Sequence, residues 1–375
     1  MLCNARACLG GILCGLLSAC GGGGSSSGSS YPPPPPPPAS ATLLFVTNGS
    51  AGTIDVLTVD TRTGVPTPIA GDPLPDGATP EAVAVDPQER YLYVVSSAGE
   101  VRGYLLDSSS GQLTAMSGSP FMTSAPSVAI AMDPSGQFVL TANGSSNTVS
   151  VFRTGSTGGL TEVTGSPFAA GSDPAAIAVA PGNYVYAGNE TGGSVSAYSL
   201  DTTSGSLTAV AGSPFAVGAD PQGLVVDPAG AHLYTADAQP SAVSGFAIDS
   251  STGALTAIAG SPFAAPNGAL SVVMDGAGKL LHVANGTNVD CFTVDASSGA
   301  LTYIGPSPTN GRASALAVDA PDNFLYALDN VDNQIEVFSI QATNYNLALI
   351  AGNPFPLFSG ASGQALGPTS ITVVH

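Results

Sequence analysis

The sequence predicts an all-β protein whose main domain, residues 41–375, is a seven-bladed β-propeller of four antiparallel strands per blade, closed by the C-terminal strand. Three observations carry this. A landmark recurs seven times at intervals of 44 to 48 residues: Phe45/Asn48, Tyr93/Ser96, Leu140/Asn143, Tyr186/Asn189, Tyr234/Asp237, His282/Asn285 and Tyr326/Asp329. That period is the length of one propeller blade. Gly (47) and Pro (31) are abundant while only 9% of residues are charged, a composition that suits short strands and tight turns rather than helices with charged faces. The two ends of the domain are complementary: residues 41–57 lack an inner strand, and Pro368 to His375 is an inner strand with nothing after it. Joining them completes one blade and removes the open sheet edges.

Blade three shows the unit. Val128 to Met132 is an apolar inner strand, followed by the turn Asp133-Pro134-Ser135-Gly136. Pro presets φ there and Gly takes positive φ. Phe138 to Ala142 is the second strand, Asn143-Gly144 opens a hairpin, and Val149 to Phe152 is the third. Gly158-Gly159 leads into Leu160 to Val163, the fourth, and Gly165-Ser166-Pro167-Phe168 ends the blade. Third strands align as an aromatic or Leu column (Leu57, Tyr104, Phe152, Tyr198, Phe246, Phe292, Phe338), preceded by a small or aliphatic one. Both faces are apolar, as expected of a sheet packed between two neighbours.

The first 40 residues are not part of this pattern. Residues 1–19 read as a targeting segment, with Arg6 followed by an apolar stretch too short to span a bilayer. Leu17-Ser18-Ala19-Cys20 resembles a bacterial lipobox, which implies cleavage before Cys20 and acylation of Cys20. Gly21 in place of Asp leans toward the outer membrane of the cell envelope. Residues 20–40 then form a tether, Gly/Ser-rich to Ser30 and stiff through Pro32 to Pro38. Once the leader is removed, Cys20 and Cys291 remain, so no internal disulfide is expected.

The net charge of −19, with Lys279 the single lysine, argues against a nucleic-acid partner, because phosphate binding needs a basic patch. The expected partners are the membrane, through the lipid anchor, and a surface protein, glycan or small ligand. A monomer is expected, and no cofactor.

The elements Leu233-Tyr234-Thr235-Ala236-Asp237, Ser251-Thr252-Gly253-Ala254-Leu255-Thr256 and Gly260-Ser261-Pro262-Phe263 resemble the YVTN-type repeats of lactonase-like, 6-phosphogluconolactonase-type propellers. The resemblance spans about residues 41–375. It implies the fold and, for activity, lactone hydrolysis. Enzymatic members are similar to one another in a channel mouth bearing His and Arg. Here the inner-strand entries, such as Pro80-Glu81-Ala82, Pro221-Gln222-Gly223 and Arg312-Ala313-Ser314, contain no His.

Most chemically suggestive residues belong to the repeat. His282 and His232 occupy strand columns held elsewhere by aromatic or Leu residues, and His375 ends the closing strand. Cys291 sits in the small-residue column, where a free Cys behaves as a small hydrophobe. Five Asp recur in the first turn (Asp86, Asp133, Asp227, Asp275, Asp319) and five after the third strand (Asp60, Asp107, Asp201, Asp249, Asp295). Asp suits such turns because it accepts nearby backbone N–H groups. Asp329 to Asn333 lacks the Gly and distal Glu of a calcium loop, so no metal site is expected.

The positions that break the repeat are the candidate site. Glu81 and Arg312, at inner-strand entries, are the candidate catalytic pair, able to polarise an ester. Gln222, another entry residue, with Glu190, Asp237 and Asp329 on connections between second and third strands, are candidate ligand-binding residues. Two functions are consistent with this set. The favoured one is a lipid-anchored, extracytoplasmic, non-catalytic binding or scaffold propeller. The alternative is a lactone hydrolase. Scarce cations weigh against a phosphorylated substrate.

Overall fold

The computed structural model describes residues 42–77, 79–266, 268–319, 323–341, 343–357 and 367–374. The leader, Cys20, the tether and His375 lie outside them. The described chain forms seven antiparallel sheets, the blades of a propeller. Blade four is representative: Pro174–Ala180, Tyr184–Asn189, Ser194–Leu200 and Leu207–Ala209 pair in that order.

Blade one is built from both ends of the domain. Pro368–Val374 pairs antiparallel with Leu43–Asn48, setting Ile371 opposite Val46 and Val373 opposite Leu44. Thr47 and Thr369 add a hydroxyl–hydroxyl hydrogen bond of 2.8 Å across the seam. The C-terminal strand therefore completes blade one, as expected.

The four-strand unit carries one addition. In six blades a two-residue segment follows the fourth strand and pairs with the beginning of the third; in blade three Phe168–Ala169 returns to Thr148 and Val149. The residue before this segment's proline explains the return. Ser166 Oγ accepts the Val151 N–H at 3.0 Å, and Ser119, Ser213 and Ser261 repeat that bond in their own blades. In blade six the Ser307-Pro308 pair stays in the ladder, Ser307 opposite Val289, and the fourth strand runs unbroken from Leu301 to Pro308.

The Asp turns hold the strand ends. Asp133 Oδ1 accepts the Phe138 N–H at 2.6 Å, and Asp86, Asp227, Asp275 and Asp319 do the same for the residue five ahead. The second Asp column caps the turn after the third strand: Asp201 accepts from Thr203 and Ser204 at 2.7 and 3.0 Å, which lowers its pKa.

Seven buried apolar clusters fill the seven junctions between blades. Between blades four and five the cluster includes Tyr186, Val195, Val210, Leu233 and Phe246. Burial of each large side chain stabilises by about 1.5–3 kcal/mol. Tyrosines add polar stitches: Tyr93, Tyr186 and Tyr234 donate to the carbonyls of Gly158, Gly253 and Gly299 in the next blade, at 2.6, 2.9 and 2.7 Å.

His282 occupies this Tyr column, as its spacing predicts. It is fully buried, its Nδ1 lies 3.3 Å from Cys291 Sγ, and its Nε2 has no partner. Burial drives its pKa down to about 4 and that of the Cys291 thiol up to about 12. A neutral imidazole beside a protonated thiol is a packing contact, not an activated nucleophile. His232 is likewise buried, with Nδ1 2.8 Å from Asp227.

Candidate functional site

Inner strands surround the propeller axis, so the residues that start them converge on one mouth. Glu81, Gln222 and Arg312 come from the entries of blades two, five and seven and line one open cavity of about 380 Å³ there. Ser314, Asn330 and Thr369 complete its polar wall, and Val128, Leu270 and Pro368 its apolar part. Three residues scattered over the sequence thus share a site because seven-fold closure brings blade two beside blade seven across blade one.

The electrostatics of the mouth are uneven. Arg312 is exposed and makes no ion pair with a described residue, whereas Arg90 and Arg102 are tied to Asp86 and to Glu100 and Asp76. Glu81 is partly buried. Desolvation raises its carboxyl above the ordinary range, opposed by the Ser97 hydroxyl. A desolvated carboxyl and a guanidinium that line one cavity without touching each other leave room between them for a substrate, the carboxyl placed to take a proton and the cation to meet a developing negative charge.

Glu190 stands on the rim near Gln222. Desolvation raises its pKa most, the Gln222 amide opposes the rise, and repulsion from Asp220 and Asp173 adds to it. Gln222 Nε2 in turn donates to Asp220 Oδ1. Gln222 therefore links the central cavity to an acidic rim.

Asp237 and Asp329 are placed differently from the expected loop positions. Both lie in second strands and are buried. Asp237 accepts from Thr235 at 2.7 Å and from Ser244. Asp329 accepts from the Val331 and Asp332 N–H groups at 2.9 and 3.1 Å and from Gln334 at 3.0 Å. They position the hairpins that frame the mouth. The landmark column already contained this signal, since Asn48, Asn143 and Asn189 bond to the third strand from the same position in their blades, there as donors.

Buried Glu336 was not anticipated. It accepts from the Asn310 and Gly311 N–H groups at 2.7 and 2.9 Å, which fixes the backbone leading into Arg312. Among the described residues no group of three or more His, Cys, Asp or Glu is arranged to hold a metal ion.

Comparison with known proteins gives one family. The model described as lactonase, seven-bladed β-propeller, matches residues 43–166 and 161–272. Among solved structures, the periplasmic gluconolactonase of Pseudomonas aeruginosa superposes with a TM-score of 0.76 at 20% identity, covering 90% of this chain and 99% of its own. A proposed 6-phosphogluconolactonase of Bacteroides uniformis gives 0.77 at 19%, covering 90% and 100%. A Lactobacillus plantarum protein gives 0.72 at 20%, with 90% and 100% covered. At these identities the likeness is one of fold. Among curated proteins no sequence match is found.

Proposed function

Because the chain belongs to the lactonase seven-bladed β-propeller family, we propose that its channel mouth binds and hydrolyses an unphosphorylated lactone. One observation carries this reading: Glu81 and Arg312 line the same central cavity, the first with a raised pKa and the second with no ion pair to a described residue. Water attacks the lactone carbonyl and gives its proton to Glu81. Arg312 stabilises the oxyanion that forms. The ring C–O bond breaks, and the leaving oxygen takes the proton back from Glu81, giving the open hydroxy acid. With Arg312 the single cation in the cavity wall, a phosphate group on the substrate would compete with the carbonyl for it.

The test is hydrolysis of a panel of sugar and aliphatic lactones above the buffer rate. Glu81→Gln and Arg312→Gln are expected to lower kcat/KM by about 10²-fold or more. The rate should rise with pH as Glu81 loses its proton, at a pH above the usual carboxylate range.

A second reading, a non-catalytic binding propeller, is supported by both described histidines being buried in strands away from the mouth. Lactone binding without turnover in the wild-type protein would establish it over the first.

The lipobox-like Leu17-Ser18-Ala19-Cys20 supports a further part of the proposal, that Cys20 is acylated and the propeller is held at the cell envelope on its tether. Incorporation of labelled palmitate that disappears in Cys20→Ala would establish it, and a label retained in that variant would refute it.

A further inference from the structure

The central cavity is not closed at its sides. A second cavity, of about 610 Å³, lies between blades six and seven, and Leu270 and Arg312 line both. A third, of about 500 Å³, lies between blades three and four and shares Val128 with the centre. Each is of a size that holds a drug-sized ligand. The central cavity together with the larger arm therefore offers far more room than a single sugar lactone fills.

We infer that the substrate is an oligosaccharide bearing a terminal lactone, its lactone ring in the central cavity and its chain lying in the arm between blades six and seven. This rests on the lactone reading for the terminal unit and adds the chain. The arm is built for hydroxyl groups. Thr287, Asn310 and Asp332 are exposed along it, and the Asn310 and Asp332 side chains make no hydrogen bond to a described residue. Leu270, partly buried, and Val331, 61% exposed, offer apolar patches of the kind that the C–H face of a sugar ring covers.

Charge selects against acidic chains: the arm's one cation, Arg312, stands at its inner end beside the lactone, while Asp332 faces the chain. The walls are preorganised, which lowers the cost of binding. Glu336 clamps Asn310 and Gly311, and Asp329 holds Val331 and Asp332. Asp329 lies so close to Gly311 that a Cβ there would meet its carboxylate, so only glycine fits.

Calorimetric titration of the full chain with malto- and cello-oligosaccharides of increasing length tests this without needing turnover. At least one series should gain about tenfold in affinity, equivalent to about 1.4 kcal/mol, between one and four units. Thr287→Trp, which fills the arm, should abolish that gain, while Ser145→Trp in the arm between blades three and four should leave it. Affinity independent of length in both series, or a gain that survives Thr287→Trp, would overturn the inference. Saturable binding of an oligolysine peptide with flat sugar titrations would also overturn it and assign the arm to a basic peptide. A length-dependent gain in a protein that hydrolyses none of the corresponding lactones would remove the lactone reading and leave the chain-binding arm in place.

Discussion

Blade four and blade one use the same columns and differ in how those columns are filled. In blade four the third-strand slot is Ser196, bonded to Asn189, and the slot before the cis proline is Ser213, which accepts the Ala197 N–H at 2.9 Å. Blade one places Asp55 and Asp72 in these slots. Asp72 keeps the bond, accepting the Val56 N–H at 2.6 Å, but Oδ2 of Asp72 and Oδ1 of Asp55 are buried without a partner. Tyr186 donates to Gly253, while Tyr326, its counterpart in blade seven, has a buried hydroxyl with none. Blade four is satisfied by neutral groups. Blade one holds its polar groups incompletely paired and is completed by strand pairing between the two ends of the domain. A repeat thus conserves geometry without conserving the energy of each copy.

The largest test removes the pairing. Deleting residues 368–375 takes the inner strand from blade one and exposes Leu44 and Val46. Cooperative unfolding and protease resistance should both be lost. Unchanged resistance would show that blade seven packs against blade one without the seam.

The next test uses pH. Burial, with repulsion from Asp72, raises the Asp55 pKa to about 7, and burial raises that of Asp72 to about 6, each from an unfolded value of 3.8. The folded state therefore binds more protons than the unfolded one between those limits. Stability falls as pH climbs from about 4 to 7 and its contribution is level on either side. Asp72→Ser installs the residue of the other blades. It should raise the melting temperature at pH 8 and leave it nearly unchanged at pH 4. An equal gain at both would mean that packing, not charge, separates the two blades.

The smallest effect compares the two tyrosines. Tyr186→Phe leaves the Gly253 carbonyl unpaired in a buried place and should cost about 1–3 kcal/mol. Tyr326→Phe removes a hydroxyl that already lacks a partner and should be neutral or mildly stabilising in denaturant titration. Equal losses in the two variants would erase the distinction.

The fold was legible because a blade must show two apolar faces and turn at fixed places, and both demands leave period and turn residues in the chain. The Asp-Pro-x-Gly turns and the aromatic columns are local, and each does in the structure what its residue type suggests. The sequence alone puts Asp237 and Asp329 on connections between strands, whereas the pairing that holds them in second strands depends on partners five to seven residues away. Glu336 and the Asp55–Asp72 pair carried no signal, since a lone acid on a strand does not reveal whether its side of the blade is dry.

The sequence by itself determined the number of blades, the closing strand and the three entry positions Glu81, Gln222 and Arg312 as departures from the repeat. Only the tertiary structure decided that these three line one cavity, that Glu81 is desolvated while Arg312 has no ion pair among the described residues, and that an arm opens between blades six and seven. The reason is physical: periodicity is set by contacts within and between adjacent blades, whereas the mouth is formed by residues from distant parts of the chain that meet only when the ring closes.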